Sequence, residues 1–172
     1  MNNLLSYPRP EIIRMIPSPH AQRQAIQRLI RPWEVAHLVR TVPLGYLPVN
    51  HSFTENVAGW FQEGELQYIA DPSGPFDYWC SPAVTLDRKG GDCDDLAIFG
   101  ASFLRRGGVK ASVVVGSLWS NGTWGGHAWV EGSDRFGWFL LEGTSGGLYR
   151  GQRPAWYVAS HVLSPAVSPL EA

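Results

Sequence analysis

The stretch from Gly90 to Glu142 constrains this chain more than any other. Gly90-Gly91 leads into Asp92, a residue suited to capping a helix, and the pattern after it predicts a helix to Arg106. Cys93, Leu96, Gly100 and Phe103 fall along one stripe, widened by Ala97, Phe99 and Leu104, so this helix should be central. Arg105 and Arg106 suit the negative end of the helix dipole, and Gly107-Gly108 close it. Three strand-like runs follow: Val109 to Trp119, Trp124 to Glu131 and Phe136 to Glu142. Asn121-Gly122 is a strong hairpin signal, and Gly132 to Arg135 reads as a second turn. A helix followed directly by a β meander predicts an α+β fold.

The 172 residues suffice for one compact domain with a substantial core. Hydrophobic residues are 44% and charged residues 17%, which excludes a disordered chain. A formal net charge of -1 gives no electrostatic case for nucleic acid or an anionic membrane, so neither is expected as a partner. No apolar run approaches the ~20 residues that span a bilayer. Met1 to Ile16 carries Arg9, Glu11 and Arg14 among prolines where a signal peptide would be apolar, so the expected location is cytoplasmic. In that compartment Cys80 and Cys93 are expected as free thiols, and their spacing does not suit zinc.

Residues 1–17 are punctuated by proline and read as an irregular arm. Ser18-Pro19 is a helix start, and His20 to Ile30 places Ile26, Leu29 and Ile30 on one side before Pro32 stops it. A second short helix is expected over Trp33 to Arg40, then a loop from Thr41 to Asn50. Val57, Trp60 and Phe61 suit a short helix, and Leu66 to Ala70 suit an extended segment. Asp71-Pro72-Ser73-Gly74-Pro75 and Ser81-Pro82 are expected to break regular structure, and the tail from Ser164 to Ala172 reads as loose.

Three side chains in this frame carry chemistry. A cysteine at a helix start meets the positive end of the dipole and unsatisfied backbone N–H groups, which favour the thiolate and can hold an oxyanion. Asp92, Asp94 and Asp95 oppose this around Cys93, so a charged partner is needed, and His127 can supply an imidazolium. With the second turn at Gly132 to Arg135, Glu131 would oppose Phe136 and His127 would oppose Leu140. Glu142 then shares a sheet face with His127 as its diagonal neighbour, within reach to orient the imidazole. A slip of one residue would separate them.

Gly91-Asp92-Cys93-Asp94-Asp95, Gly126-His127-Ala128-Trp129-Val130-Glu131 and Leu141-Glu142-Gly143-Thr144 resemble the three motifs of the transglutaminase-like superfamily. Tyr68-Ile69-Ala70-Asp71 and Phe76-Asp77-Tyr78-Trp79-Cys80-Ser81-Pro82 resemble the lead-in of bacterial transglutaminase-like cysteine proteinases. The resemblance covers about residues 55–145. It implies a papain-like core with the Cys helix packed on an antiparallel sheet, Cys93 as nucleophile, His127 as general base and Glu142 as third member. The family usually carries Asp at that third position, in a short Asp-x-Thr run, so Glu142 is a departure. The resemblance also implies an oxyanion-assisting side chain before the Cys helix, a role an indole N–H at Trp79 would suit. Some bacterial relatives bind calcium through acids that match Asp92 and Asp94. No metal and no cofactor are assigned to this chain.

Cys80 reads as structural. His20, His37, His51 and His161 lack a companion motif and read as surface or packing residues. Asp134 is a rival acid, but its place in a turn favours turn formation. The eight tryptophans suit core packing before ligand stacking. The expected activity is acyl transfer at an amide bond of a peptide or protein, through a thioester, with water as acceptor. Transfer of a Gln acyl group to an amine is the alternative chemistry, and a silent peptide-binding module is the alternative class.

Overall fold

The computed structural model describes residues 11–13, 16, 18–40 and 52–165. The expected loop over 41–50, His51, the tail beyond 165 and most of the expected arm lie outside these residues. In chain order the elements are β1 (Glu11–Ile12), α1 (Pro19–Leu29), α2 (Phe53–Gln62), β2 (Gln67–Tyr68), β3 (Tyr78–Trp79), α3 (Pro82–Arg88), β4 (Gly90–Gly91), α4 (Cys93–Arg106), β5 (Lys110–Ser120), β6 (Thr123–Asp134), β7 (Gly137–Glu142), β8 (Gly147–Arg150) and β9 (Tyr157–Leu163). The architecture is α+β. A five-stranded antiparallel sheet, in the order β8-β7-β6-β5-β9, carries α4 on one face.

α4 is the axis of the molecule. Leu96 to Leu104 are all buried, so packing surrounds the helix well beyond the expected stripe. Phe99 stacks on Trp60 at 5.3 Å and meets Phe103 edge-on at 5.8 Å, while Gly100 lets Val130 of the sheet approach. α1 starts as expected, with the Ser18 hydroxyl accepting from Ala21 N–H and Pro19 in the first turn. α2 begins on a capping box in which Ser52 and Glu55 satisfy each other's backbone N–H groups.

Several expectations are corrected. Glu11–Ile12, inside the expected irregular arm, pairs with Tyr78–Trp79. The helix expected over Trp33 to Arg40 is two separate 3-10 turns, Pro32–Val35 and Leu38–Arg40. Arg31 N–H is tied to Ser102 Oγ on α4 and Val35 is fully buried, so packing against α4 overrides a weak helical pattern. Ser81-Pro82 starts α3 where a break was expected, because proline at the first helical position gives up an N–H that has no partner there. Asp92 occupies the N-cap of α4, but its carboxylate makes no capping hydrogen bond.

The second hairpin turns at Arg135–Phe136, later than expected. Asp134 Oδ1 accepts from Phe136 N–H at 2.8 Å, and Gly137, at φ 95°, closes the turn. Gly132 stays inside β6, where an added Cβ would lie 2.1 Å from Lys110 O. Glu131 therefore opposes Leu140, four positions beyond the expected partner Phe136. The shift is an even number, so His127 and Glu142 remain on one face.

β8 and β9 were not anticipated. β9 adds to β5 on the side away from β6. Although β8 and β9 end opposite edges of the strand order, Tyr149 and Tyr157 rings lie 6.1 Å apart. The sheet is therefore curled, with Val114, Trp129, Leu140 and Tyr157 filling its concave side. Val113, Ala128, Val130, Phe139 and Leu141 face the helices on the other side.

Candidate active site

Two faces of the sheet contribute to the site. α4 lies on the face of Ala128 and Val130, whereas His127 points with Trp129 to the concave face. The β6–β7 ladder ends at Val130–Leu141, so His127 and Glu142 lie beyond the last paired rung. There the chain after Glu142 runs against α4, and a Cβ on Gly143 would lie 3.0 Å from Leu96 Cβ. Cys93, the first residue of α4, reaches His127 through this opening and interacts with its ring. The structure thus brings Cys93, His127 and Glu142 together.

The imidazole is oriented from two sides. Its Nε2 stands 2.7 Å from Glu142 Oε2, which leaves Nδ1 for Cys93. Trp129 and Tyr157 rings each lie 6.2 Å from it. The Trp129 indole is itself fixed, donating to Glu131 Oε1 at 2.8 Å, and Arg153 clamps both oxygens of Glu131. Burial alone would lower the His127 pKa, but its bonds to Cys93 and Glu142 raise it to about 9. For Glu142, burial pushes the pKa up, yet His127 and Thr144 hold it below the usual carboxyl value. An imidazolium and a carboxylate result at neutral pH.

Glu142 has four donors among the described residues. Oε1 accepts from Thr144 N–H at 3.1 Å and Thr144 Oγ1 at 2.8 Å. Oε2 is shared by His127 and by the Tyr157 hydroxyl at 2.9 Å. Thr144 lies in the third motif, where its sequence position alone assigns it no role, and nothing in the spacing of Tyr157 singles it out. Tyr68 was also given no role. Burial, then the negative charges of Cys93 and Asp92, raise the pKa of its hydroxyl.

Cys80 and Cys93 are both free. Cys80 is fully buried and accepts from Arg88 at 3.1 Å, and burial with the nearby Asp95 pushes its thiol up to about 12. Its backbone N–H donates to Asp95 Oδ1 at 2.6 Å, which anchors the β3 end of the chain at the first turn of α4. Trp79, one residue earlier, is 5% exposed, and its indole N–H is buried with no acceptor among the described residues. Asp134 is engaged elsewhere: burial pushes its pKa up, but Arg150, Thr54 and Phe136 N–H hold it at about 2. His20, His37 and His161 are exposed.

Asp92, Asp94 and Asp95 can bring one carboxyl oxygen each within 4.8 Å of the others. Among the described residues, Asp92 Oδ1, Asp94 Oδ1 and Asp95 Oδ2 are buried without a hydrogen-bond partner, although Arg88 stands 3.5 Å from Asp95 Oδ2. Such an oxygen-only donor set fits a hard cation such as calcium. Without one, burial and mutual repulsion raise the pKa of Asp94, and that of Asp95 to about 6.

Beyond His127 the β5–β6 hairpin carries a cross-strand pair, Trp119 and Trp124, with rings 5.5 Å apart. With Ala155 and Trp156 they line an open concavity of about 340 Å³. Each of the three indoles is about half exposed (45–49%), against the expectation that tryptophans serve mainly as core.

The chain matches the transglutaminase-like superfamily over residues 50–143, more than half its length, and belongs to that family. It shares its fold with a crystal structure of a candidate cysteine protease from Cytophaga hutchinsonii, at a TM-score of 0.54 and 19% identity. The likeness covers 70% of this chain and 41% of the other, so this chain spans well under half of that protein. No curated protein matches it. Family and fold together support a cysteine-based enzyme.

Proposed function

We propose that this chain hydrolyses an amide bond of a peptide or protein, a peptide or isopeptide link, through a thioester on Cys93. One observation carries the reading: His127 is bonded to Glu142 through Nε2 and turned to Cys93 at the N-terminus of α4. Cys93 is the nucleophile, His127 the acid and base, and Glu142 the group that fixes the imidazole and stabilises its charge.

The thiolate attacks the carbonyl carbon, and the oxyanion forms near the first N–H groups of α4. The C–N bond then breaks, and the amine leaves with the proton of the imidazolium. Water attacks the thioester and gives a proton back to His127. The C–S bond breaks, releasing the acid and restoring the thiolate. The unpartnered indole N–H of Trp79 is a suitable further oxyanion donor. Were a cation bound at Asp92, Asp94 and Asp95, it would neutralise negative charge beside Cys93. A reducing compartment, the cytoplasm, suits a free reactive thiol.

The tryptophan concavity supports a peptide substrate. Among the described residues no charged side chain lines it, and the 56° tilt between Trp119 and Trp124 suits an apolar side chain better than a flat sugar ring. Trp124 precedes His127 by three residues, roughly 10 Å, about the reach of three extended substrate residues.

The test offers Gln-containing and Lys-containing peptides to the protein, with and without a primary amine, and reads intact mass. Cleavage or deamidation without amine uptake is expected. Amine incorporation would make the activity a transglutaminase. No thioester adduct, with Cys93 no more reactive than free cysteine, would leave only a binding module.

A further inference from the structure

Glutamate at the third position brings one methylene and one rotatable bond more than aspartate. Left free, a longer carboxylate would lose time in orientations that do not meet the imidazole. Thr144 holds only Oε1, so the group could still pivot about that oxygen. Oε2, the oxygen that meets His127, has one further donor among the described residues: the hydroxyl of Tyr157, at 2.9 Å.

Tyr157 is well placed to hold a position. It opens β9, pairs with Leu118 of β5 and is 6% exposed. Its ring is packed edge-on against Trp129 at 5.1 Å and lies 6.1 Å from Tyr149. Burial, then the charge of Glu142, keep the hydroxyl protonated far above neutral pH, so it is always a donor. Glu142 thus reaches His127 from the end of β7 while a strand from the far edge of the sheet braces it.

We infer that Tyr157 is a positioning residue: its hydroxyl fixes Glu142 Oε2 against His127 Nε2 and compensates for the added length of glutamate. The inference rests on the proposed roles of Cys93, His127 and Glu142. It acts through Glu142 and requires no contact with substrate.

The test is a double-mutant cycle read by iodoacetamide labelling of Cys93 at neutral pH. Tyr157→Phe keeps the ring and removes only the hydroxyl. Labelling should slow about tenfold, the worth of one charge-assisted hydrogen bond. In a Glu142→Ala background, or Glu142→Gln should alanine fail to fold, the same change should cost less than about twofold. Equal loss in both backgrounds would mean general structural support and overturn the inference. The His127 midpoint, followed by NMR, should fall in Tyr157→Phe as the carboxylate loosens. Among the described residues, the titratable groups facing that ring are Cys93 from α4, Glu142 from the end of β7 and Tyr157 from β9. A rise would show that the hydroxyl merely competes with the imidazolium for Oε2, and would also overturn it. Failure of the underlying reading looks different: wild-type Cys93 would label no faster than free cysteine.

Discussion

His127 Nε2 and Glu142 Oε2 stand 2.7 Å apart in a site where both side chains are largely buried. Burial disfavours either charge alone, and the pairing overcomes it on both sides, raising the imidazole to about 9 and lowering the carboxyl. The contribution of His127 to stability is fully present below its unfolded pKa of about 6.5 and is lost as pH rises through about 9. That of Glu142 is present above the ordinary carboxyl range and is lost as pH falls through its lowered value. Melting temperature should therefore hold a plateau between the carboxyl range and about pH 6.5, and decline from there to about pH 9. His127→Gln should remove the alkaline decline, measured by thermal melts from pH 6 to 10.

Glu142→Gln keeps the shape of the site and removes the charge. If the His127 midpoint returns from about 9 to near 6.5, the imidazolium fraction at pH 8 drops from about 0.9 to about 0.03. Labelling of Cys93 at that pH should slow severalfold as the thiolate loses its charged partner. A pH–rate profile unchanged from wild type would show that Glu142 does not set the state of the imidazole.

The two thiols should behave as different substances. Cys80, buried and with its thiol pushed up to about 12, should resist alkylation in the native protein. Mass spectrometry should find one label on the native chain, at Cys93, and two after denaturation. Labelling of native Cys80 at a rate near that of Cys93 would contradict the packing described here.

Much of this site was legible because its parts lie in local patterns. Asp92 and Gly107 marked the ends of α4, and Asn121-Gly122 marked the first hairpin, which runs from Ser120 to Thr123. The second hairpin was misplaced because Gly132 looked like a turn former, whereas it is a point where β5 and Phe139 crowd β6. The His127–Glu142 relation survived the error through parity. β9 was hidden by its own surface: Val158 and Val162 are exposed, 50% and 60%, which blurs the alternation that marks a half-buried strand. Tyr157 was illegible for a deeper reason. Its link to Glu142 depends on the curl of the whole sheet, which no window of residues encodes.

Gly91 sits where the side chain of Asp95 comes underneath, and a Cβ there would lie 2.3 Å from Asp95 Oδ2 and 2.4 Å from its Cβ. Gly91→Ala should destabilise by about 1–3 kcal/mol, the usual cost of overpacking. It should also slow Cys93 labelling, because Asp95 ties β3 to the first turn of α4. Urea unfolding and labelling rates on the same samples check both.

For peptide substrates, Trp124→Ala should raise KM about tenfold or more where an apolar residue lies two or three positions from the scissile bond, with kcat little changed. Peptides with glycine there should be indifferent to the substitution. Equal effects on both peptides would remove the tryptophan concavity from substrate recognition.

The late position of β9 along the chain sets an order of assembly. During synthesis the thiol of Cys93 emerges first, then the imidazole, then the carboxylate, and the brace at Tyr157 only after these. A growing polypeptide that has not yet laid its ninth strand beside β5 holds all three reactive groups without the last restraint on them. On the inferred role of Tyr157, Cys93 would reach its full reactivity only once β9 lies beside β5.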